Sequence, residues 1–309
     1  MVLDRKLAIM LMMKSGDTPI YRLEIGDARA RISEKYRKRS KPEDIASVTD
    51  HSVKTKNGDI NVRVYQPFEK KRDGLCYVYY HGGGAVLLSI EEFDPICRHL
   101  CNVSGACVVS VDYHLAPEYR YPVQLEDAIS AYQWVLENHE RLSISPDRIA
   151  VIGDSFGGYL ATEVCIESKR VGYTRPCAQI LLYPRTDYHR IDLESYQLYS
   201  KGYNLDSEEM DWYWNNYLPV GCNPDDPRIC PNRSKDLSCQ PKTYIYTAEC
   251  DPLRDEGEEY ANRISMNGVP TKLVRVEGQV HGFIHFWDVL ETPKKILDEV
   301  ATLPVSSEF

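Results

Sequence analysis

Apolar runs alternate with helical stretches along most of the chain, and this alternation restricts the possible fold more than any other feature. From about residue 46 onward, runs such as "INVRVYQP", "LCYVYYH", "ACVVSVD" and "RIAVIGD" have the length and the β-branched and aromatic content of strands. Stretches such as "PVQLEDAISAYQWVLENHERL" and "SFGGYLATEVCIESKR" carry apolar residues at helical spacing. This alternation predicts an α/β fold with a mostly parallel central sheet and helices on both faces.

The alternation is missing from two segments. Residues 186–241 are rich in Tyr and Trp and then become loop-like, whereas residues 1–45 are helical and rich in Met. Because neither segment fits the rhythm of the sheet, we predict that residues 186–241 form an insertion above it. Residues 1–45 are predicted to supply N-terminal helices to the same cap, and residues 46–309 to form one main domain that carries the insertion.

Charge, apolar runs and cysteine spacing exclude several classes of partner. A net charge of −9 and a pI of about 5.5 argue against nucleic acid as the main partner. The apolar run from Leu7 to Met13 is too short to cross a bilayer, so no stable membrane insertion is expected. The ten cysteines form no C-x-x-C pairs and have no histidines at zinc spacing, so no metal is predicted. We interpret them as reduced thiols of a cytoplasmic protein.

The stretch "VIGDSFGGYL" places a serine between a predicted strand and a predicted helix. Gly153-x-Ser155-x-Gly157 in this context predicts a nucleophile elbow, in which a sharp turn exposes the serine hydroxyl. A serine hydroxyl is a weak nucleophile unless a base takes its proton and an acid orients that base. In this architecture the partners follow in the order Ser, Asp or Glu, and His.

The chain offers both partners beyond later strands. Asp251 follows the predicted strand "KTYIYTAE", and His281 follows "TKLVRVEG" in a glycine-flanked loop. Functional sites of open α/β sheets lie at these carboxyl ends, so we predict a triad of Ser155, Asp251 and His281. His285, inside the apolar "FIHFW", is predicted to be structural, and Asp255 is predicted to cap the helix that begins there.

Three glycines in "HGGG" directly follow the predicted strand that ends at Tyr80. The triplet makes either a tight turn alone or a turn that exposes backbone N–H groups to an anion. The triad favours the second reading, because acyl transfer passes through an oxyanion that needs preorganised donors. Gly83, Gly84 and the residue after the nucleophile, Phe156, are the candidate donors, and His81 and Gly82 are predicted to shape the turn.

Six motifs in the same order, spread over roughly residues 60 to 300, give the chain a specific resemblance. "HGGG", "VDYHLAPE", "YPVQLEDA", "GDSFGG", "DPLRDEG" and "HGF" resemble those of the hormone-sensitive lipase-like group of α/β-hydrolase esterases. The resemblance implies an α/β-hydrolase fold with a helical cap and a serine carboxylic ester hydrolase that needs no cofactor. It also implies that the first aspartate of "DPLRD", Asp251 rather than Asp255, is the triad acid.

Three positions depart from that family's usual pattern. Phe156 stands where a small residue usually follows the nucleophile, Ala85 where an aromatic residue follows the glycines, and His114 where an arginine is usual. None of them removes a catalytic group, so they affect the expected substrate rather than the expected reaction.

The expected activity is hydrolysis of short- to medium-chain acyl esters through an acyl-enzyme, with a small apolar ester as the partner. The aromatic residues of the insertion either pack the cap onto the sheet or line an apolar acyl pocket. An amidase or deacetylase using the same triad, and a non-catalytic small-molecule receptor on the same fold, remain as alternatives. The sequence leaves the alcohol moiety and the oligomeric state, including a homodimer, open.

Overall fold

A single eight-stranded sheet forms the centre of the protein in the computed structural model, which describes residues 3–14, 16–37, 41–72 and 74–305. The strands are β1 (Ser47–Thr55), β2 (Gly58–Gln66), β3 (Gly74–Tyr80), β4 (Cys107–Asp112), β5 (Ile144–Asp154), β6 (Ala178–Leu182), β7 (Lys242–Cys250) and β8 (Thr271–Val280). Their order across the sheet is β1-β2-β4-β3-β5-β6-β7-β8. Strands β3 to β8 are parallel, and β2 pairs antiparallel with both β1 and β4. The predicted α/β fold is therefore confirmed.

Helices cover both faces of this sheet. They are α1 (Arg5–Lys14), α2 (Ile25–Arg37), α3 (Ile90–Ser104), α4 (Val123–Glu137), α5 (His139–Leu142), α6 (Phe156–Val171), α7 (Glu194–Leu198), α8 (Ser207–Tyr217), α9 (Arg254–Met266) and α10 (Glu291–Thr302). Buried residues of α4, α6 and α9 belong to the core on one face. Buried residues of α3 and α10 belong to the core on the other.

The continuous apolar run of β3 serves both cores at once. Because successive side chains of a strand point to opposite faces, Val78 and Tyr80 pack under α4 and α6, whereas Tyr77 and Tyr79 pack under α3 and α10. All four side chains are fully buried. A strand that is apolar on both faces lies in the middle of a sheet that helices cover on both sides. The turn after Tyr80 is therefore located near the centre of the molecule.

Two segments lie outside the strand-and-helix rhythm, and we refer to them together as the cap: the N-terminal helices and residues 186–241. Leu7 of α1 packs in one apolar cluster with Tyr199 of the insertion and with Phe286. On α2, Arg29 donates hydrogen bonds to the carbonyl oxygens of Val86 and Ala116, each at 2.8 Å. Both contacts bring the N-terminal helices against loops at the carboxyl ends of the strands. Positions 1, 2, 15 and 38–40 of the predicted 1–45 segment lie outside the described residues.

None of the helices in the described ranges combines the length and the apolar character needed to cross a membrane.

Candidate active site

Ser155 lies in the sharp turn between β5 and α6. Its φ of 53° and ψ of −118° are strained values for a residue with a side chain. The turn is held by a hydrogen bond of 2.8 Å from the Ser155 N–H to the carbonyl oxygen of Leu182, at the end of the neighbouring strand β6.

The glycines on either side of Ser155 are required by close backbone contacts. A Cβ atom on Gly157 would collide with the carbonyl oxygen of Tyr80, and one on Gly153 would collide with the backbone of Gly157. The pattern G-x-S-x-G therefore allows the strand, the turn and the helix to approach closely enough to present the serine at the edge of the sheet.

The structure brings Ser155, His281 and Asp251 together in a chain of hydrogen bonds. Ser155 Oγ lies 2.8 Å from His281 Nε2, and His281 Nδ1 lies 2.8 Å from Asp251 Oδ2. Asp251 is fully buried, and its second oxygen accepts the N–H of Leu253 at 2.9 Å. Because the carboxylate accepts a hydrogen bond from the Nδ1–H, it favours the tautomer in which Nε2 is free to receive the serine proton.

Asp255 and His285, the two other candidates of the same types, have different surroundings. Asp255 accepts the main-chain N–H of Ser195 at 2.8 Å and the Nε–H of Arg254 at 2.7 Å, so it fastens α7 to α9. The prediction that Asp255 caps its own helix is wrong, because α9 begins at Arg254 and has no side-chain cap. The ring of His285 packs against those of Tyr36 and Phe93, with centroids 4.2 and 4.8 Å away.

The glycine turn exposes backbone donors beside Ser155. Gly83 and Gly84 have φ values of 104° and 61°, which a residue without a Cβ adopts readily. Together with Phe156 they line the same cavity as the serine hydroxyl. Within the described residues, the N–H groups of Gly83, Gly84 and Phe156 have no hydrogen-bond acceptor, so an incoming anion can use them.

Gly82 and His81 stabilise the glycine turn through buried hydrogen bonds. The N–H of Gly82 donates to Asp154 Oδ1 at 2.9 Å, so it is not available to a ligand. The ring of His81 stacks on Tyr113 at 4.3 Å, with its Nδ1 2.7 Å from the carbonyl oxygen of Gly82. Burial lowers the pKa of His81 to about 4 and raises the pKa of Asp154 to about 7.

A cavity of about 1400 Å³ opens above these groups. Its floor contains the serine, the histidine and the glycine turn, and its walls come from both parts of the cap. The lining residues from the insertion include Tyr196, Tyr203, Met210, Tyr213, Trp214 and Tyr217, and those from the N-terminal segment include Leu3, Leu11, Ile20, Ile32 and Tyr36. Each of the two interpretations of the aromatic residues therefore holds for some of them. Most line the cavity, whereas Tyr199 packs with Leu7 and does not line it.

The three departures from the family pattern have separate surroundings. Phe156 is buried and lines the cavity, and its ring packs edge-on against Tyr217 at 5.0 Å. Ala85 is buried and accepts the N–H of Ala116 at 2.8 Å. His114 is hydrogen-bonded through Nδ1 to Asp127 at 2.7 Å and is not part of the described cavity lining. Of the three, Phe156 has the direct route to influence substrate choice.

Sequence reasoning missed two residues at the site. Arg185 is buried, lines the cavity, and donates its main-chain N–H to the carbonyl oxygen of Ser155 at 3.1 Å. Asn204 belongs to the insertion and donates its side-chain amide to the carbonyl oxygen of His281 at 2.9 Å. The arginine in "LLYPRTD" could have been predicted as a site residue, because it closely follows a buried strand. The asparagine lies in a loop, and nothing in its sequence neighbourhood indicates a role at the site.

Across the described ranges, no group of three or more His, Cys, Asp or Glu side chains is arranged to hold a metal ion.

Comparisons with known proteins agree with this geometry. A family profile described as the α/β hydrolase fold matches residues 77–285. The chain is 33% identical over 278 residues to an ethyl acetate hydrolase of Pseudomonas putida, covering 88% of this chain and 87% of that protein. It is 35% identical over 261 residues to an arylesterase of Saccharolobus solfataricus, covering 84% of each. A solved ester hydrolase from the metagenome of Lake Arreo, complexed with a bipyridine phosphonate derivative, superposes with a TM-score of 0.92 at 34% identity over 97% of both chains.

Proposed function

The chain belongs to the hormone-sensitive lipase-like family of α/β-hydrolases and is a carboxylic ester hydrolase, and on that basis we propose that Ser155, His281 and Asp251 are its catalytic triad. The observation that carries this proposal is the pair of 2.8 Å contacts that join the three side chains at the floor of one cavity. A receptor on the same fold needs no such proton path, so the complete set of three groups argues against that alternative.

The proposed reaction follows from the direction of these hydrogen bonds. His281 Nε2 takes the proton from Ser155 Oγ as the oxygen attacks the carbonyl carbon of the ester. Asp251 keeps the ring oriented and stabilises the imidazolium that forms. When the tetrahedral intermediate collapses, the alcohol leaves with the proton from His281, and an acyl group stays on Ser155. Water then attacks the acyl-enzyme by the same route, releases the acid and restores the serine.

We also propose that Gly83, Gly84 and Phe156 donate their N–H groups to the oxyanion, with His81 and Gly82 as supports of the turn. The open donors beside the serine support this assignment. Donors fixed in place before the reaction cost no reorganisation when charge develops, and one such donor is worth about 3 kcal/mol in the transition state.

The proposed substrates are small apolar esters with short to medium acyl chains. The aromatic wall contributed by Phe156, Tyr213, Trp214 and Tyr217 supports an apolar acyl site. The relatives named as an ethyl acetate hydrolase and an arylesterase support small substrates. The cavity volume of about 1400 Å³ exceeds the roughly 300–1,000 Å³ of usual ligand pockets, which leaves room for the acyl and alcohol parts together.

The domain division and the location belong to the same proposal. Residues 1–45 and 186–241 would form the cap of a catalytic domain at 46–309, which fits the share that both segments take in the cavity wall. A cytoplasmic location is supported by the cysteines, all ten of which are free thiols.

The proposal is tested by labelling with an organophosphonate probe and by assays on 4-nitrophenyl esters. Wild type should be labelled on Ser155 alone, and Ser155→Ala should lose labelling and turnover by on the order of a millionfold. Ser52→Ala, on the distant strand β1, is the matched control and should behave as wild type. Labelling on another serine, or turnover retained in Ser155→Ala, would contradict the assignment.

A further inference from the structure

Arg185 places a cation in the wall of the cavity that holds the proposed nucleophile. It lies just beyond the end of β6, and its main-chain N–H contacts the carbonyl oxygen of Ser155 at 3.1 Å. The residue is 8% exposed and lines the cavity together with Ser155 and Phe156. A guanidinium keeps its proton in a protein, so Arg185 places a fixed positive charge beside the aromatic rings of Tyr159 and Trp214. Four other basic residues also line the cavity, but none of them is buried: Arg22, Arg31, Lys35 and Lys201.

Most hydrogen-bonding capacity of this guanidinium is unused. Nη1 donates to the carbonyl oxygen of Ile229 at 2.6 Å. Nε and Nη2 are buried, and neither has a partner among the described residues. Buried donors are nearly always paired, and a buried charge without hydrogen bonds is costly. The arrangement therefore calls for a partner that the described part of the chain does not supply.

The buried acid Glu163 does not neutralise Arg185. Burial raises the pKa of Glu163 well above its ordinary value, and the nearby charge of Glu167 adds to this effect while Arg185 opposes it. Among the described residues, both carboxyl oxygens of Glu163 lack hydrogen-bond partners. Glu163 therefore forms no hydrogen-bonded ion pair with Arg185 in that part of the chain.

Aromatic rings surround the cation without satisfying its N–H groups. The guanidinium carbon of Arg185 lies 3.8 Å from the ring centroid of Tyr159, 4.7 Å from Trp214, 5.4 Å from Phe156 and 5.9 Å from Tyr217. Cation–π contacts of this kind stabilise a cation. They make its burial tolerable but provide no acceptor for the forked N–H donors, for which a carboxylate is the best geometric match.

We propose that Arg185 forms a subsite for a carboxylate carried by the substrate, so that esters with a free carboxylate a few carbons from the ester bond are preferred over neutral esters of the same size. This inference rests on the proposed function and adds a substrate class to it. Because Nε and Nη2 are covered in the unliganded protein, the proposal requires that the side chain of Arg185 or Trp214, two residues that line the cavity, moves and uncovers these donors when the carboxylate binds.

The competing explanation is structural: Arg185 ties the insertion to the sheet through Ile229 and the aromatic rings. On that explanation the charge of the substrate makes no difference. The two explanations separate in substrate pairs with the same number of carbon atoms, in which one member carries a carboxylate where the other has a methyl group.

The first experiment measures kcat/KM near neutral pH for two such pairs. In one, 4-nitrophenyl hemiglutarate and 4-nitrophenyl pentanoate differ in the acyl part; in the other, 3-carboxyphenyl acetate and 3-methylphenyl acetate differ in the alcohol part. Wild type should prefer the charged member of at least one pair by about tenfold, the factor expected from a charge-assisted hydrogen bond. Arg185→Met should lose this preference, so that the ratio of kcat/KM for the charged and the neutral member falls to about one. Arg185→Lys should retain part of it.

Arg228→Met is the matched control, because it removes an exposed arginine of the insertion that lies outside the cavity lining. It should keep the wild-type preference. No charged preference in either pair, a preference unchanged in Arg185→Met, or an equal loss on both members together with a lower melting temperature would each overturn the inference.

A second readout does not depend on turnover. Calorimetry on Ser155→Ala compares the binding of two esters, monomethyl glutarate, which carries a carboxylate, and methyl pentanoate, which is neutral, with and without the Arg185→Met change. Tighter binding of monomethyl glutarate that disappears with Arg185→Met supports the subsite, and equal binding of the two esters overturns it. If wild type hydrolyses no ester of either pair, the proposed function fails while this measurement still decides the inference.

Discussion

Asn204 donates its side-chain amide to the main-chain carbonyl oxygen of His281, with 2.9 Å between the two atoms. Asn204 belongs to the cap and has a φ of 73°, a left-handed value that asparagine tolerates better than most residues. The hydrogen bond joins the cap directly to the loop that carries the proposed base. We therefore expect the orientation of the histidine ring to depend on this contact.

Replacing Asn204 should slow the chemical step. Asn204→Gly keeps the left-handed backbone accessible and removes the amide, so kcat should fall by roughly fivefold, the value of about one hydrogen bond. Asn204→Asp should cost more, because a carboxylate would face a carbonyl oxygen. Steady-state kinetics on 4-nitrophenyl butyrate measures both. Asn216→Ala, which removes an amide bonded within α8, is the control, and wild-type kcat in Asn204→Asp would contradict the coupling.

Replacing each of the two aspartates of "DPLRD" should lower kcat by very different amounts. Asp251→Asn should lower kcat by about four orders of magnitude, because the amide favours the wrong tautomer of His281. Asp255→Asn should cost far less, since Asp255 contacts the Ser195 N–H and Arg254 rather than the triad. Single-turnover acylation rates on the two purified variants make the comparison. A larger loss in Asp255→Asn would reverse the assignment of the triad acid.

The proposed oxyanion donors predict a selective sensitivity of the glycine turn. A Cβ on Gly83 would strike the carbonyl oxygen of Leu87, and one on Gly84 would strike the ring of Tyr213. Gly83→Ala and Gly84→Ala should therefore displace the donors and lower kcat by about a hundredfold. Gly172→Ala is a matched control, because Gly172 also has a positive φ but has open space around it. It should lose some stability and keep its kcat, and a wild-type kcat in Gly83→Ala would argue against the donor assignment.

Asp154 should make unfolding depend on pH in a defined direction. Its folded-state pKa of about 7, raised by burial, lies above the unfolded value of about 3.9. Between these values the folded protein holds a proton that the unfolded chain has released, so the contribution of Asp154 to the free energy of unfolding falls as pH rises. Since Asp154→Asn does not titrate there, the stability of wild type relative to this variant should fall by about 1.4 kcal/mol per pH unit between roughly pH 4 and 7. Urea unfolding at several pH values tests this, and a difference that is constant or grows with pH would be inconsistent with it.

The acyl-chain preference should have an optimum between acetyl and octanoyl esters. Each buried methylene contributes about 0.8 kcal/mol until the acyl site is full, and the aromatic wall near Phe156 limits its length. A kcat/KM series on 4-nitrophenyl esters from two to sixteen carbons measures the profile. Phe156→Leu should move the optimum to longer chains, because it removes ring volume and retains the backbone N–H. A best substrate of twelve or more carbons would refute the limited acyl site.

The central strands of the sheet were predictable because strands that are buried on both faces have continuous apolar sequences. β1 was not predicted, since this edge strand is mostly exposed and its alternation is polar on both sides. α3 was also missed, although Ser89 and Glu92 form a capping box that marks its start. That signal was available and was not used.

The triad residues were predictable because each follows a strand, and the order of the strands in the sequence fixes the order of the groups. Arg185 and Asn204 depend instead on contacts between a loop and a distant segment, which no local spacing reports. The role of Asp255 was mistaken for the same reason, because its partner Ser195 lies sixty positions away in the insertion.

The cluster that joins Leu7, Tyr199 and Phe286 has a consequence for the order of assembly. Contacts between residues so far apart in the chain close long loops and form slowly, whereas the neighbouring βα units can pair as they emerge. The sheet and the serine turn should therefore be complete before the walls above them. During refolding, the far-ultraviolet circular dichroism signal should recover first and esterase activity later, with a transient rise in binding of an apolar dye between the two.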